Sequence, residues 1–166
     1  MSTSSSATNL RAALKTAGYS ARQVTVRQRH STLDVTIRVA GISHTKVSTI
    51  ASAFESVRRC EASGEILLGG NVFVSVEYAD ALVGPLKASI LATLDAAPLG
   101  ATVELPGGFS AAKPLPAHGR TYQGDVWMSG PGFHGSNDHA IGVAWAAERL
   151  AIAYLDATAS GSGAAA

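Results

Sequence analysis

The sequence predicts an α+β fold: an antiparallel sheet of about four strands with helices packed on one face, plus a glycine-rich arm and a C-terminal helix. Three observations carry that prediction. The run from Gln23 to Val39 alternates apolar and polar residues through two consecutive stretches, the period-two signature of half-buried strands. Val72 to Tyr78 alternates in the same way. Segments before, between and after these runs carry apolar residues at helical spacing.

Taken in order, residues 1–7 are polar and small and predict a disordered tail. A helix is expected from Thr8 to Ala17, because Leu10, Ala13, Leu14 and Ala17 share one face and Gly18 stands where a C-terminal cap belongs. In the hairpin that follows, Val24, Val26, Leu33, Val35, Ile37 and Val39 point to one face. Thr25, Arg27, Arg29, Asp34, Thr36 and Arg38 point to the other. Ser43 is a good N-cap for a second helix running to about Val57, with Val47, Ile50, Ala51, Phe54 and Val57 as its apolar stripe. Arg59 to Ala62 is read as a short strand and Val72 to Tyr78 as a long one. A third helix is expected over Pro85 to Asp95, with proline in its first turn. Glycines and prolines crowd residues 98–136, where the pattern offers two short strands, Ala101–Leu105 and Gly124–Met128, in what is otherwise a loop-rich arm. A strongly apolar helix closes the ordered chain from Asn137 to Ala157, and residues 158–166 read as a flexible tail. The organisation expected is thus a module over 8–79, with 80–157 packed on the same domain.

Composition narrows the function classes. The chain has 166 residues, 46% of them hydrophobic, and a formal net charge of +1. That near-neutrality conceals an asymmetry. Up to Ala79 there are nine Lys and Arg against five Asp and Glu, and from Asp80 onward four against seven. A basic half points to an anionic partner. Cys60 is the single cysteine, which excludes an intrachain disulfide and a cysteine-rich zinc site. The N-terminus lacks the plan of a secretory signal, and no apolar run approaches the roughly 20 residues that span a bilayer. A cytoplasmic protein with no membrane partner and no cofactor is expected.

Arg27, Arg29 and Arg38 share the wet face of the hairpin, and Phe73 joins them if its strand pairs alongside with its apolar residues inward. Arginines around an aromatic on a sheet suit single-stranded nucleic acid, because the ring stacks on a base and guanidinium groups meet phosphate. The competing reading is that Asp34 and Glu77 neutralise these arginines across strands and that Phe73 packs under a loop. His134, Asp138 and His139 lie close in sequence and could form a metal-dependent hydrolase centre with His118. Their spacing does not match a helical pair, and Ser136, Asn137 and Asp138 suit a helix N-terminus better. Gly64 to Asn71 has the wrong order for a phosphate loop and reads as a hairpin connection. Cys60 is a nucleophile only if a base such as His44 reaches it. Glu148, on the apolar last helix, is a general-base candidate if buried. Trp127 and Trp145 read as core or interface anchors.

Leu10-Arg-Ala-Ala-Leu14, Val24-Thr-Val-Arg27, Leu33-Asp-Val-Thr-Ile37, the second helix with Val47, Ile50 and Phe54-Glu55, and Phe73-Val-Ser-Val76 form a pattern over residues 9–79. It resembles one of the large polyvalent protein-associated domains. The resemblance implies a small α+β module in a phage or conjugative-element protein, in the host cytoplasm, with a role in counter-defence or DNA transfer. It assigns no catalytic residues. The leading functional expectation is a non-enzymatic accessory protein binding DNA or RNA through Arg27, Arg29, Arg38 and Phe73. The alternative is a protein-binding module, an inhibitor of a host defence enzyme or an assembly component, using the apolar C-terminal helix, which could also form a homo-oligomer. The hydrolase at His134, Asp138 and His139 is the weaker alternative.

Overall fold

A computed structural model describes residues 3–67, 69–113, 125–133 and 139–161. The chain divides into two compact units, Met1–Ala79 and Asp80–Ala166. The boundary falls where the charge changes sign. The second segment is therefore a unit in its own right, rather than an arm and a helix added to the first.

The first unit runs α1 (Thr3–Thr16), β1 (Val24–Arg29), β2 (Thr32–Ile37), α2 (His44–Ser52) and β3 (Phe73–Tyr78). The sheet order is β1-β2-β3. Helix α1 starts at Thr3, within the stretch expected to be disordered. It ends in a Schellman motif. Gly18 has φ +93, its N–H donates to the Lys15 carbonyl, and the Tyr19 N–H donates to the Leu14 carbonyl, both at 3.0 Å. A side chain at Gly18 would oppose that left-handed conformation. Ser43 caps α2 as expected, its hydroxyl accepting from the Lys46 N–H at 3.2 Å. The helix is shorter than its apolar stripe suggested and stops before Phe54 and Val57.

Strands β1 and β2 pair antiparallel, with Arg27 opposite Asp34. Strand β3 pairs parallel to β2, with Thr32 beside Phe73 and Ile37 beside Tyr78. This corrects the all-antiparallel expectation: β2 and β3 are joined by a crossover that contains α2, and such a connection returns the chain in the same direction. Val24, Val26, Leu33, Val35, Ile37 and Tyr78 are buried together with Leu10, Leu14, Val47 and Ala51 from the helices. The helices thus cover one face of the sheet, and the opposite face carries the arginines.

Each edge strand of this sheet has one backbone carbonyl taken by a side chain. The Arg11 guanidinium donates to the Val26 carbonyl at 2.7 Å on the outer side of β1. His44 Nε2 donates to the Val76 carbonyl at 2.9 Å on β3. The Tyr78 hydroxyl donates to the Ile42 carbonyl at 2.8 Å and fixes the start of α2 against β3. Such caps occupy backbone groups that would otherwise invite another strand. The strand expected over 59–62 is instead part of an excursion between α2 and β3. It is closed by a reciprocal pair of hydrogen bonds between Ser56 and Val72, at 2.9 and 2.7 Å, with a further bridge from Arg59 to Ile66.

The second unit runs α3 (Asp80–Ala96), β4 (Thr102–Leu105), β5 (Phe109–Ala112), β6 (Asp125–Ser129), β7 (His139–Ile141) and α4 (Val143–Ala159). Its four strands form an antiparallel meander in sequence order. The glycine-rich stretch supplies tight turns within this sheet, because Gly107, Gly108, Gly130 and Gly132 all have positive φ. Phe109, Ala111, Val126 and Met128 from the sheet pack with Ile90 and Leu94 of α3 and with Ala146, Ala147, Leu150 and Ala151 of α4. Pro85 lies inside α3 rather than in its first turn. Residues 139–141, expected within the last helix, form β7, and α4 starts after Gly142. Among the described residues, no helix is long and apolar enough to cross a membrane.

Candidate nucleic-acid interface

Strand register arranges the outer face of the first sheet into rows. Arg29, Thr32 and Phe73 form one row, Arg27, Asp34 and Ser75 the next, and Thr25, Thr36 and Glu77 a third. Arg38 follows β2 and stays in register, its N–H donating to the Gln23 carbonyl at 2.7 Å. Neighbouring strands lie about 4.8 Å apart, and alternate residues along a strand about 6.7 Å apart. All four sequence-predicted residues therefore share one face, with the Arg29 and Phe73 backbones about 10 Å apart across the sheet.

The carboxylates of this face are only partly engaged with the arginines. Asp34 Oδ2 lies 3.1 Å from Arg29 Nε, with the arginine side chain 72% exposed. Glu77 accepts from the Ser75 hydroxyl at 3.0 Å. Arg27 and Arg38 are exposed and form no ion pair among the described residues. Phe73 is half-buried. The face thus holds two uncompensated guanidinium groups, one shared guanidinium and one aromatic ring.

A neighbouring feature escaped the sequence reading. Between the C-terminal half of α1 and edge strand β1 runs a groove of about 520 Å³, lined among others by Arg11, Leu14, Lys15, Tyr19, Thr25 and Val26. Gly18 held the signal, since a C-terminal glycine cap brings the residue after it back against the last turn.

The other constellations come out differently. His118, His134 and Asp138 lie outside the described residues, and His139 is a β7 residue rather than a helix-capping neighbour. No group of three or more His, Cys, Asp or Glu gathers to hold a metal among the described residues. His44 bonds Val76 through Nε2, and its Nδ1 lies 3.4 Å from the Ser48 hydroxyl, so its ring is engaged within its own helix and strand. The Ser63 hydroxyl, with the backbone N–H groups of Ser63 and Ala62, lowers the Cys60 thiol pKa below its ordinary value. Glu148 pairs with Lys87 at 2.7 Å and its side chain is 46% exposed, so the buried general base is not found. Trp127 lies on the sheet and is 38% exposed. Trp145 is 52% exposed, with the Arg149 guanidinium 5.6 Å from both its ring and that of Phe133. Neither tryptophan belongs to the buried core.

Comparison with protein-family models, with curated proteins and with solved structures finds no match to this chain. The resemblance read over residues 9–79 accordingly rests on its own residue pattern.

Proposed function

We propose that the outer face of the first sheet binds single-stranded nucleic acid, and that the protein is a small non-enzymatic accessory factor of the phage or mobile-element type that the resemblance over 9–79 implies. The observation that carries this reading is the register, with Phe73 in the Arg29 row and one row from Arg27. In this arrangement a base stacks on Phe73 while Arg27 and Arg38 meet phosphate oxygens. Guanidinium suits that role because its planar donors match phosphate in a bidentate fashion. Stacking is tolerant of base identity, so weak sequence preference is expected.

The test is fluorescence anisotropy with labelled oligouridylate, oligothymidylate and duplex DNA across a salt series. Each phosphate neutralised on a single strand contributes a slope of about −0.7 in log affinity against log salt. Replacing both Arg27 and Arg38 with alanine should flatten the slope by about 1.4. Phe73→Ala should weaken binding about 5- to 150-fold, the range that base–aromatic stacking spans. Absent or salt-insensitive binding overturns the reading.

The protein-binding alternative relied on the apolar stripe of the last helix. Ala147, Leu150, Ala151 and Leu155 of that stripe are buried in the second unit, whereas Ala144 and Trp145 of the same helix are exposed, so the sheet face is the better-supported reading.

A further inference from the structure

We infer that the groove between α1 and β1 is a nucleotide subsite that continues the sheet-face interface around its edge, an inference that rests on the reading of that face. Three observations meet here. The first is chemistry: Arg11 and Lys15 contribute two cations, Tyr19 contributes a ring, and the lining contains no carboxylate. The combination of cations with an aromatic ring matches that of the sheet face, where Arg27 stands one row from Phe73. The second is size: about 520 Å³ falls within the range of small-molecule clefts. The third is continuity. Thr25 belongs both to the outer face and to the groove wall, two residues from Arg27 and so about 6.7 Å along the strand.

Charge selects the occupant. Arg22 and Arg38 stand next to Gln23, at the end of β1 nearest the groove, and the acids of the first unit are Asp34, Glu55, Glu61, Glu65 and Glu77, none of them in the lining. The ligand class is an anion with a flat apolar body, and a nucleotide of the bound strand has that chemistry. Arg11 spends one donor on the Val26 carbonyl at 2.7 Å, and a guanidinium has five. It can hold the edge of β1 and meet a phosphate together. The Schellman motif fixes the geometry, since the Tyr19 N–H bonded to the Leu14 carbonyl anchors Tyr19 beside the last turn that carries Lys15. A base stacks on Tyr19, and its phosphate meets Lys15 and Arg11.

The experiment uses the full chain and a labelled oligouridylate of about ten nucleotides, within the range a small binding domain covers. Affinity is measured for Tyr19→Ala, Tyr19→Phe and Lys15→Gln, with Arg27→Ala and Phe73→Ala as face variants. Thermal melting checks that each variant is folded. Tyr19→Ala should weaken binding about 5- to 150-fold, while Tyr19→Phe stays near wild type because the ring is kept. Lys15→Gln should flatten the salt slope by about 0.7. Photo-crosslinking of a 4-thiouridine oligomer should label the Tyr19 peptide, a readout that stands even if Tyr19→Ala fails to fold. If Tyr19→Ala and Lys15→Gln bind like wild type while Arg27→Ala and Phe73→Ala weaken, the groove inference is overturned and the face reading stands. If the wild-type protein does not bind the oligomer, the face reading fails and the inference falls with it.

Discussion

Replacing Asp34 with asparagine should strengthen nucleic-acid binding, although it removes an ion pair. Asp34 lies opposite Arg27 in register and 3.1 Å from Arg29 Nε. Adding a charge-assisted guanidinium–phosphate contact to the Arg29–Asp34 distance puts a phosphate on Arg29 about 7 Å from the carboxylate, and the same separation is taken for one on Arg27, directly opposite Asp34. At that separation two unit charges repel by about 0.6 kcal/mol in bulk water and about 2.4 kcal/mol at an effective dielectric constant near 20. Screening at about 0.1 M salt, where the Debye length is about 10 Å, halves these values. Asp34→Asn should thus gain roughly 0.3–1.2 kcal/mol per phosphate, a roughly two- to eightfold tighter complex. The loss in stability should be small, because exposed ion pairs contribute about 0.2–1 kcal/mol. Anisotropy with the oligouridylate at about 50, 100 and 200 mM salt checks the sign, and the gain should shrink as salt rises. Unchanged or weaker binding at the lowest salt would refute the argument, since it would mean that Asp34 does not compete with phosphate for these arginines.

Other perturbations test the frame around the site. A Cβ at Gly130 would stand 2.6 Å from Phe109 Cδ1 at φ +135, whereas one at Gly108 meets nothing within 4 Å. Gly130→Ala should therefore cost about 2–4 kcal/mol in urea unfolding, and Gly108→Ala only about 1 kcal/mol. Arg11→Ala uncovers the Val26 carbonyl on an edge strand, and light scattering should show more self-association than wild type. Cys60 should alkylate with a pH midpoint below that of an ordinary thiol, and Ser63→Ala should move the midpoint up, because the Ser63 hydroxyl leads the groups that stabilise the thiolate.

The parts legible in the sequence are those where local pattern and tertiary packing agree. Alternation from Val24 to Ile37 assigned each side chain to its face because that hairpin has one buried side. Ser43 and Gly18 marked helix ends through backbone chemistry that needs no distant partner. Direction and pairing were less accessible. Nothing in Phe73–Tyr78 itself says whether it runs parallel to β2, since both arrangements turn Val74 and Val76 to the same face. Strand β5 is four residues long and follows Gly107 and Gly108, so its period is too short to read. Strand β7 sits beside α4, where Ile141 and Val143 fit a helical stripe equally well. For the site, the residues on the face were readable but not their partners. Asp34 pairs with Arg29, one row away, and not with Arg27 directly opposite it, a choice that strand register alone does not dictate. The groove arises from α1 lying against β1, a contact between residues 15 apart at Arg11 and Val26.

The reciprocal bonds between Ser56 and Val72 bear on how this chain tolerates change in length. They hold together the two ends of residues 57–71 at the base, so β3 takes its place beside β2 whatever the intervening chain contains. The entropy of closing such a segment rises only about 0.6 kcal/mol for each doubling of its length. Additions there are thermodynamically cheap and leave the register of Arg27, Arg29 and Phe73 unchanged. The segment is thus a natural port for a tag or an inserted domain, and a place where related chains can differ in size while keeping the same face.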